Sequence, residues 1–139
     1  MLLIGRARVI EVTSRTGIAA EDLARSISPE DIRRADQDAQ LAARGARRVP
    51  HRLRRRHRSR AREHLVEHGI KVVGVDYLSV EQFRTPGAPA HHVLLGAGTI
   101  VIEGLNLRDV EPGIYEMSAC RCAIVGSDGA PARVVLRQS

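Results

Sequence analysis

From Arg6 to Thr13 apolar and polar residues alternate, the two-residue period of a strand with one buried face. Ser14 to Gly17 supplies turn chemistry. Ile18-Ala-Ala-Glu-Asp-Leu-Ala-Arg25 follows with acids in its first turn and apolar residues at 19, 20, 23 and 24, which predicts a short helix. Ser28-Pro-Glu-Asp31 is suited to capping another. Ala61 to His68 turns Leu65 and Val66 toward a core before Gly69, predicting a helix closed by a glycine cap. Lys71-Val-Val-Gly-Val-Asp76 reads as a buried strand, His91 to Leu95 as a helix stopped by Gly96-Ala-Gly98, and Thr99-Ile-Val-Ile-Glu103 as the next strand. That order is the order of an α/β unit, for which parallel strands are the default.

Toward the end of the chain, Gly113 to Val125 is a long alternating run, Gly126-Ser-Asp-Gly129 a turn, and Ala132 to Leu136 a second apolar run. A β-hairpin with a two-residue Ser-Asp or Asp-Gly turn is predicted. Strands are thus expected near 6–13, 71–76, 99–103, 114–125 and 132–136, in a mixed sheet with flanking helices: an α/β fold.

Between about 33 and 62 the periodicity collapses. Apart from alanine the stretch offers only Leu41, Val49 and Leu53, with Gly45 and Pro50 as breakers. It is expected to be a poorly ordered or irregular insert, and its small burial would offset little ordering entropy, so low stability is expected too. The 139 residues fit one domain, 1–139. With one Phe, two Tyr and no Trp, its core must be aliphatic. No apolar run approaches a membrane span, and Met1 to Ile4 is too short for a signal peptide before Arg6, so a cytoplasmic location is expected. Cys120 and Cys122, two apart on a predicted strand, are poorly spaced for a disulfide or a zinc site and are expected to be small packing residues on one face.

Charge is concentrated. Ten arginines and no acid lie from Arg44 to Arg62, so of a net charge of +6 the rest of the chain carries −4 (6 − 10). A tract of this kind binds phosphates in a salt-dependent way. It has no aromatic residue to stack on bases, so any nucleic-acid partner is expected to be held nonspecifically; an arginine-rich nucleic-acid-binding protein is the alternative functional class.

One constellation carries chemistry. If His91 opens a helix and Glu103 closes the strand after it, the turn at Gly96 to Gly98 brings the two side chains toward one point. Imidazole and carboxylate suit zinc or manganese. A surface His91-His92 pair and a strand-end Glu103 explain the same spacing. His51 and His57 sit among arginines, and Asp76 and Ser79 lie either near the site or, the favoured reading, at a strand-to-loop junction that they cap. His64 and His68, four apart, could chelate a metal geometrically but have no evident third ligand in the sequence.

Five stretches, in order and spacing, resemble the cyclase family, whose best known members are bacterial kynurenine formamidases. They are Gly74-Val-Asp-Tyr-Leu-Ser79, His91-x-x-Leu-Leu-Gly-x-Gly98, Ile102-Glu-Gly-Leu-x-Leu107, Pro112-Gly-x-Tyr-Glu116 and Ile124-Val-Gly-x-Asp-Gly-Ala-Pro-Ala-Arg133. The resemblance covers about 4–32 and 63–136 and is to the closing part of the family's sequence. It implies a partial swivelling α/β domain, a homodimer, and a dinuclear metal site, usually zinc, built from an upstream His-x-x-x-His-x-Asp motif and a later His and Glu, which His91 and Glu103 match. Such a site polarises a formyl carbonyl and acidifies a water, hydrolysing N-formyl-L-kynurenine to formate and L-kynurenine. The upstream motif and the family's catalytic His have no counterpart here, so this chain alone is expected to be inactive, and a non-catalytic, self-associating α/β remnant is a third class. Codons can be chosen for 35–41 and 50–62 that, read one base later, encode peptides like the family's middle region. The stretch from about 34 to 61 is therefore read as lying between a compensated pair of frameshifts, genuine or from sequencing, a hypothesis the gene's nucleotide sequence decides.

Overall fold

The structure, a computed structural model, describes residues 2–12, 40–44, 59–81 and 84–138. The helices expected near 18–25 and after Ser28 lie outside them. In chain order the described elements are β1 (Leu2–Glu11), β2 (Gln40–Arg44), α1 (Ser59–Glu67), β3 (Val72–Val75), α2 (Pro89–Gly96), β4 (Ile100–Ile102), β5 (Gly113–Arg121) and β6 (Ala132–Gln138). The strands form one sheet in the order β4-β3-β2-β1-β5-β6. β1 through β4 pair in parallel, whereas β5 runs antiparallel to both β1 and β6. The fold is α/β with a mixed sheet, and the parallel pairing of β3 with β4 is the one an intervening helix favours.

Alternation sorts the side chains. Ile10 and Val12 of the first strand and its end face the helices with Val73 and Val75, burying Ala61 and Leu65 of α1, Ile70, and Leu94 of α2. On the other face Ala7, Val72, Met117 and Ala119 form a second cluster, and Val9 packs with Leu107 and Tyr115 in a third. Every residue of β3 is buried, as a parallel strand covered on both faces should be. Among the described residues the core is aliphatic as expected, with Tyr115 its one large aromatic and its hydroxyl donating to the Glu111 carbonyl at 2.8 Å. Among the described residues no helix is long and apolar enough to cross a membrane.

The two described helices end the same way. Gly69 (φ 68°) donates to the Val66 carbonyl and Ile70 to that of Leu65, at 2.9 and 3.0 Å. Gly98 (φ 76°) donates to Leu95 and Thr99 to Leu94, both at 2.9 Å. These are paired Schellman closures, in which a left-handed glycine turns the chain and the next residue returns to the last helical turn. Each return delivers the chain into a strand. The two junctions are tied: the Thr99 hydroxyl donates to the Ile70 carbonyl at 2.9 Å, and Ile100 N–H to the Lys71 carbonyl at 2.8 Å.

Three expectations need correction. The segment 33–62 is not irregular throughout, because 40–44 form a strand inside the sheet and α1 begins at Ser59. A backbone ladder on each side, to β1 and to β3, supplies what side-chain periodicity does not. The final hairpin has no two-residue turn: β5 stops at Arg121, β6 starts at Ala132, and Cys122 N–H bonds the Pro131 carbonyl at 3.0 Å across the base of the connection. Pro131 lacks an N–H, so the reciprocal bond cannot form and the ladder opens there. Finally, Cys120 and Cys122 are exposed. The buried parity of β5 is Tyr115, Met117 and Ala119, which puts Cys120 on the opposite face.

Candidate metal centre

β3 and β4 lie side by side and their C-terminal ends open into two loops stitched together by the backbone. Gly104 N–H donates to the Tyr77 carbonyl at 2.8 Å, and Leu105 N–H to that of Val75 at 3.1 Å. Glu103 is the first residue beyond β4, so this stitching fixes its backbone against the loop after β3. The edge at which parallel strands end is also where open α/β sheets hold their ligands.

His91 arrives from the other side, in the first turn of α2. That helix starts from Ala88 (φ 38°) with Pro89 in its first turn and no side-chain cap of its own. Its cap is remote: Glu81 Oε2 accepts the Ala90 N–H at 2.6 Å, satisfying an orphan donor at the positive end of the helix. Ser79 Oγ accepts the Glu81 N–H at 3.0 Å, so Ser79 does the local turn work expected of it.

The two side chains singled out by their spacing are brought together. His91 Nε2 stands 3.2 Å from Glu103 Oε1, and both side chains are about one third exposed. The same Glu103 oxygen accepts the Val80 N–H at 2.8 Å, which holds the carboxylate in place. On the far side of the ring His91 Nδ1 lies 3.8 Å from Glu81 Oε2. The imidazole is thus set between two carboxylates, one at each nitrogen. Two ligand atoms bound to one ion at metal–ligand distances of about 2.1 Å lie roughly 3.0–3.4 Å apart, depending on coordination angle, so the observed separation fits a shared cation. Sequence spacing missed Glu81; a carboxylate ten residues before a helix-opening His carries no local signal. His92, next along the helix, is exposed.

A second group lies at the end of α1. His64, Glu67 and His68 each turn one ligand atom to within 4.8 Å of the others. The sequence reading left His64 and His68 without a third ligand, and Glu67 supplies a candidate. Among the described residues this is the one cluster of three or more such side chains within that distance. Burial, and next the neighbouring His68, lower the His64 pKa below its ordinary value, with Glu67 opposing. His51 and His57 lie outside the described residues.

No protein-family model matches the chain. Among curated proteins it is similar to the kynurenine formamidase of Salinibacter ruber, 45% identical over 75 residues, which are 54% of this chain and 35% of that protein. It is also similar to the kynurenine formamidase of Geobacillus thermodenitrificans, 39% identical over 75 residues, 54% of this chain and 36% of that one. The fold matches a solved potential metal-dependent hydrolase with cyclase activity at a TM-score of 0.73 and 30% identity, over 96% of this chain and 65% of that chain. The matched stretch therefore spans about a third of the curated relatives' length.

Proposed function

We propose that the chain is a cyclase-family protein, part of a metal-dependent amide hydrolase to which His91 and Glu103 contribute metal ligands. One observation carries the reading: the 3.2 Å approach of His91 Nε2 to Glu103 Oε1 at the strand ends. An imidazole and a carboxylate at that separation suit zinc, with manganese as the alternative ion. Bound there, the metal supplies Lewis-acid polarisation of an amide carbonyl and acidifies a water.

The chain's own residues prepare the pair. Glu81 Oε2 stands 3.8 Å from Nδ1, where its negative charge favours the ring orientation with Nε2 toward Glu103. Val80 N–H occupies one lone pair of the Glu103 oxygen and restrains its rotation. The likeness to kynurenine formamidases supports an aryl formamide, N-formyl-L-kynurenine, as substrate, with formate and L-kynurenine as products and a homodimer as the assembly. Two protein ligands hold zinc weakly, and the 139 residues contain no His-x-x-x-His-x-Asp motif, so we expect little turnover from this chain by itself.

The test is a Zn2+ titration of chelator-stripped protein followed through the His91 imidazole resonances. They should shift with added metal, and the shift should weaken in Glu103→Gln. An unmoved His91 overturns the metal assignment. Formate release from N-formyl-L-kynurenine tests the substrate separately: release that persists in His91→Gln/Glu103→Gln would place the chemistry elsewhere.

A further inference from the structure

We propose that His64, Glu67 and His68 form a second, independent binding site for a late first-row divalent metal ion at the end of α1. Helical spacing starts the case. Residues at i, i+3 and i+4 share one face, and here their ligand atoms converge to within 4.8 Å of one another. The imidazoles stand with ring centroids 3.9 Å apart, tilted by 44°.

The tautomer is set by the backbone. His68 Nδ1 lies 2.7 Å from the His64 carbonyl oxygen, which can only accept, so Nδ1 carries the proton and Nε2 keeps its lone pair. A ring nitrogen donating to a carbonyl while the other remains open is how metal-bound histidines are oriented. The end of the helix holds this geometry still. His68 precedes Gly69, whose left-handed turn returns Ile70 into the core against Leu65. Glu67 is exposed, so its carboxylate is free to rotate toward an ion without disturbing the packing.

Two imidazoles and one carboxylate are the donor set of many three-ligand zinc sites, and the same donors suit nickel and copper. Any remaining position would be filled by water or a small anion. The ion would staple the last turn of α1 to the Gly69 closure. This site shares no residue with the His91–Glu103 pair, so either can fail without the other.

The experiment removes the other pair first. In His91→Gln/Glu103→Gln protein, stripped with chelator, Zn2+ is titrated in competition with a chromophoric chelator. One ion per chain is expected to bind. His64→Gln and His68→Gln should each weaken it by at least about tenfold, and Glu67→Gln by a smaller factor. Unchanged affinity in His64→Gln/His68→Gln, or no binding before substitution, overturns the proposal. A second readout needs no change on α1: the His64 and His68 ring resonances should move together at one Zn2+ concentration, and rings that stay put overturn it as well.

Discussion

Glu81 Oε2 lies 3.8 Å from His91 Nδ1 while accepting, at 2.6 Å, the N–H of Ala90, the residue just before that histidine. One carboxylate thus caps the helix and stands beside the ring it carries. Glu81→Ala should lose the cap, at about 1 kcal/mol in urea unfolding, and should also weaken metal binding at His91 by roughly 10–100-fold. Glu81→Gln keeps an acceptor for Ala90 but not the charge. Stability should recover more than affinity does; equal recovery of both would argue against a separate orienting role.

The Thr99 hydroxyl and the Ile70 carbonyl join the two helix-to-strand junctions in a buried bond. Thr99→Val keeps the shape and removes the donor, leaving a buried carbonyl less well satisfied, so a loss of about 1–3 kcal/mol is expected. Urea midpoints at constant slope measure it, and an unchanged midpoint would show that water or another donor replaces the hydroxyl.

Leu94 is 2% exposed and anchors α2 three residues after His91. Truncation to alanine should cost about 2–5 kcal/mol through lost transfer energy and a cavity. The helix that presents His91 would loosen with it, so His91 resonances should broaden even where the chain remains folded.

A Cβ at Gly69 or Gly98 meets nothing within 4 Å, yet both have φ near +70°. The penalty for alanine there is conformational rather than steric, about 1–2 kcal/mol each. D-alanine, introduced by chemical synthesis, should remove it. A D-alanine variant as unstable as the L form would refute the left-handed closure as the cause.

The arginine tract predicts binding to polyanions whose affinity falls linearly with the logarithm of salt concentration. Filter-binding titrations should find no preference among nucleic-acid sequences. Preference surviving at high salt would instead identify a dedicated nucleic-acid interface.

Much of this was legible from periodicity. Gly69 and the Gly96 to Gly98 turn mark both helix ends because only a residue without Cβ takes the left-handed turn cheaply, and the run of valines in β3 signals a strand buried on both faces. His91 and Glu103 converge because a helix and a strand joined by a tight turn must lie side by side. β2 was not legible: Gln40-Leu-Ala-Ala-Arg44 has no alternation, and its place comes from ladders made by distant strands. Glu81 escaped for a similar reason, since it acts on α2 through space. The packing parity of β5 was misread for the cysteines because both parities of that run contain apolar residues, and only pairing with β1 decides which is covered.

Position in the sheet gives β2 a consequence of its own. In the hydrogen-bond ladder it is a seam five residues wide between the parallel half beneath His91 and Glu103 and the half built from β1, β5 and β6. Ile10 and Val12 reach beyond that seam to the same core as Leu65 and Leu94. A partial unzipping there would lower the floor under both helices while leaving every ligand side chain chemically intact. Substitutions far from either imidazole cluster can therefore detune the spacing of both before the molecule as a whole comes apart.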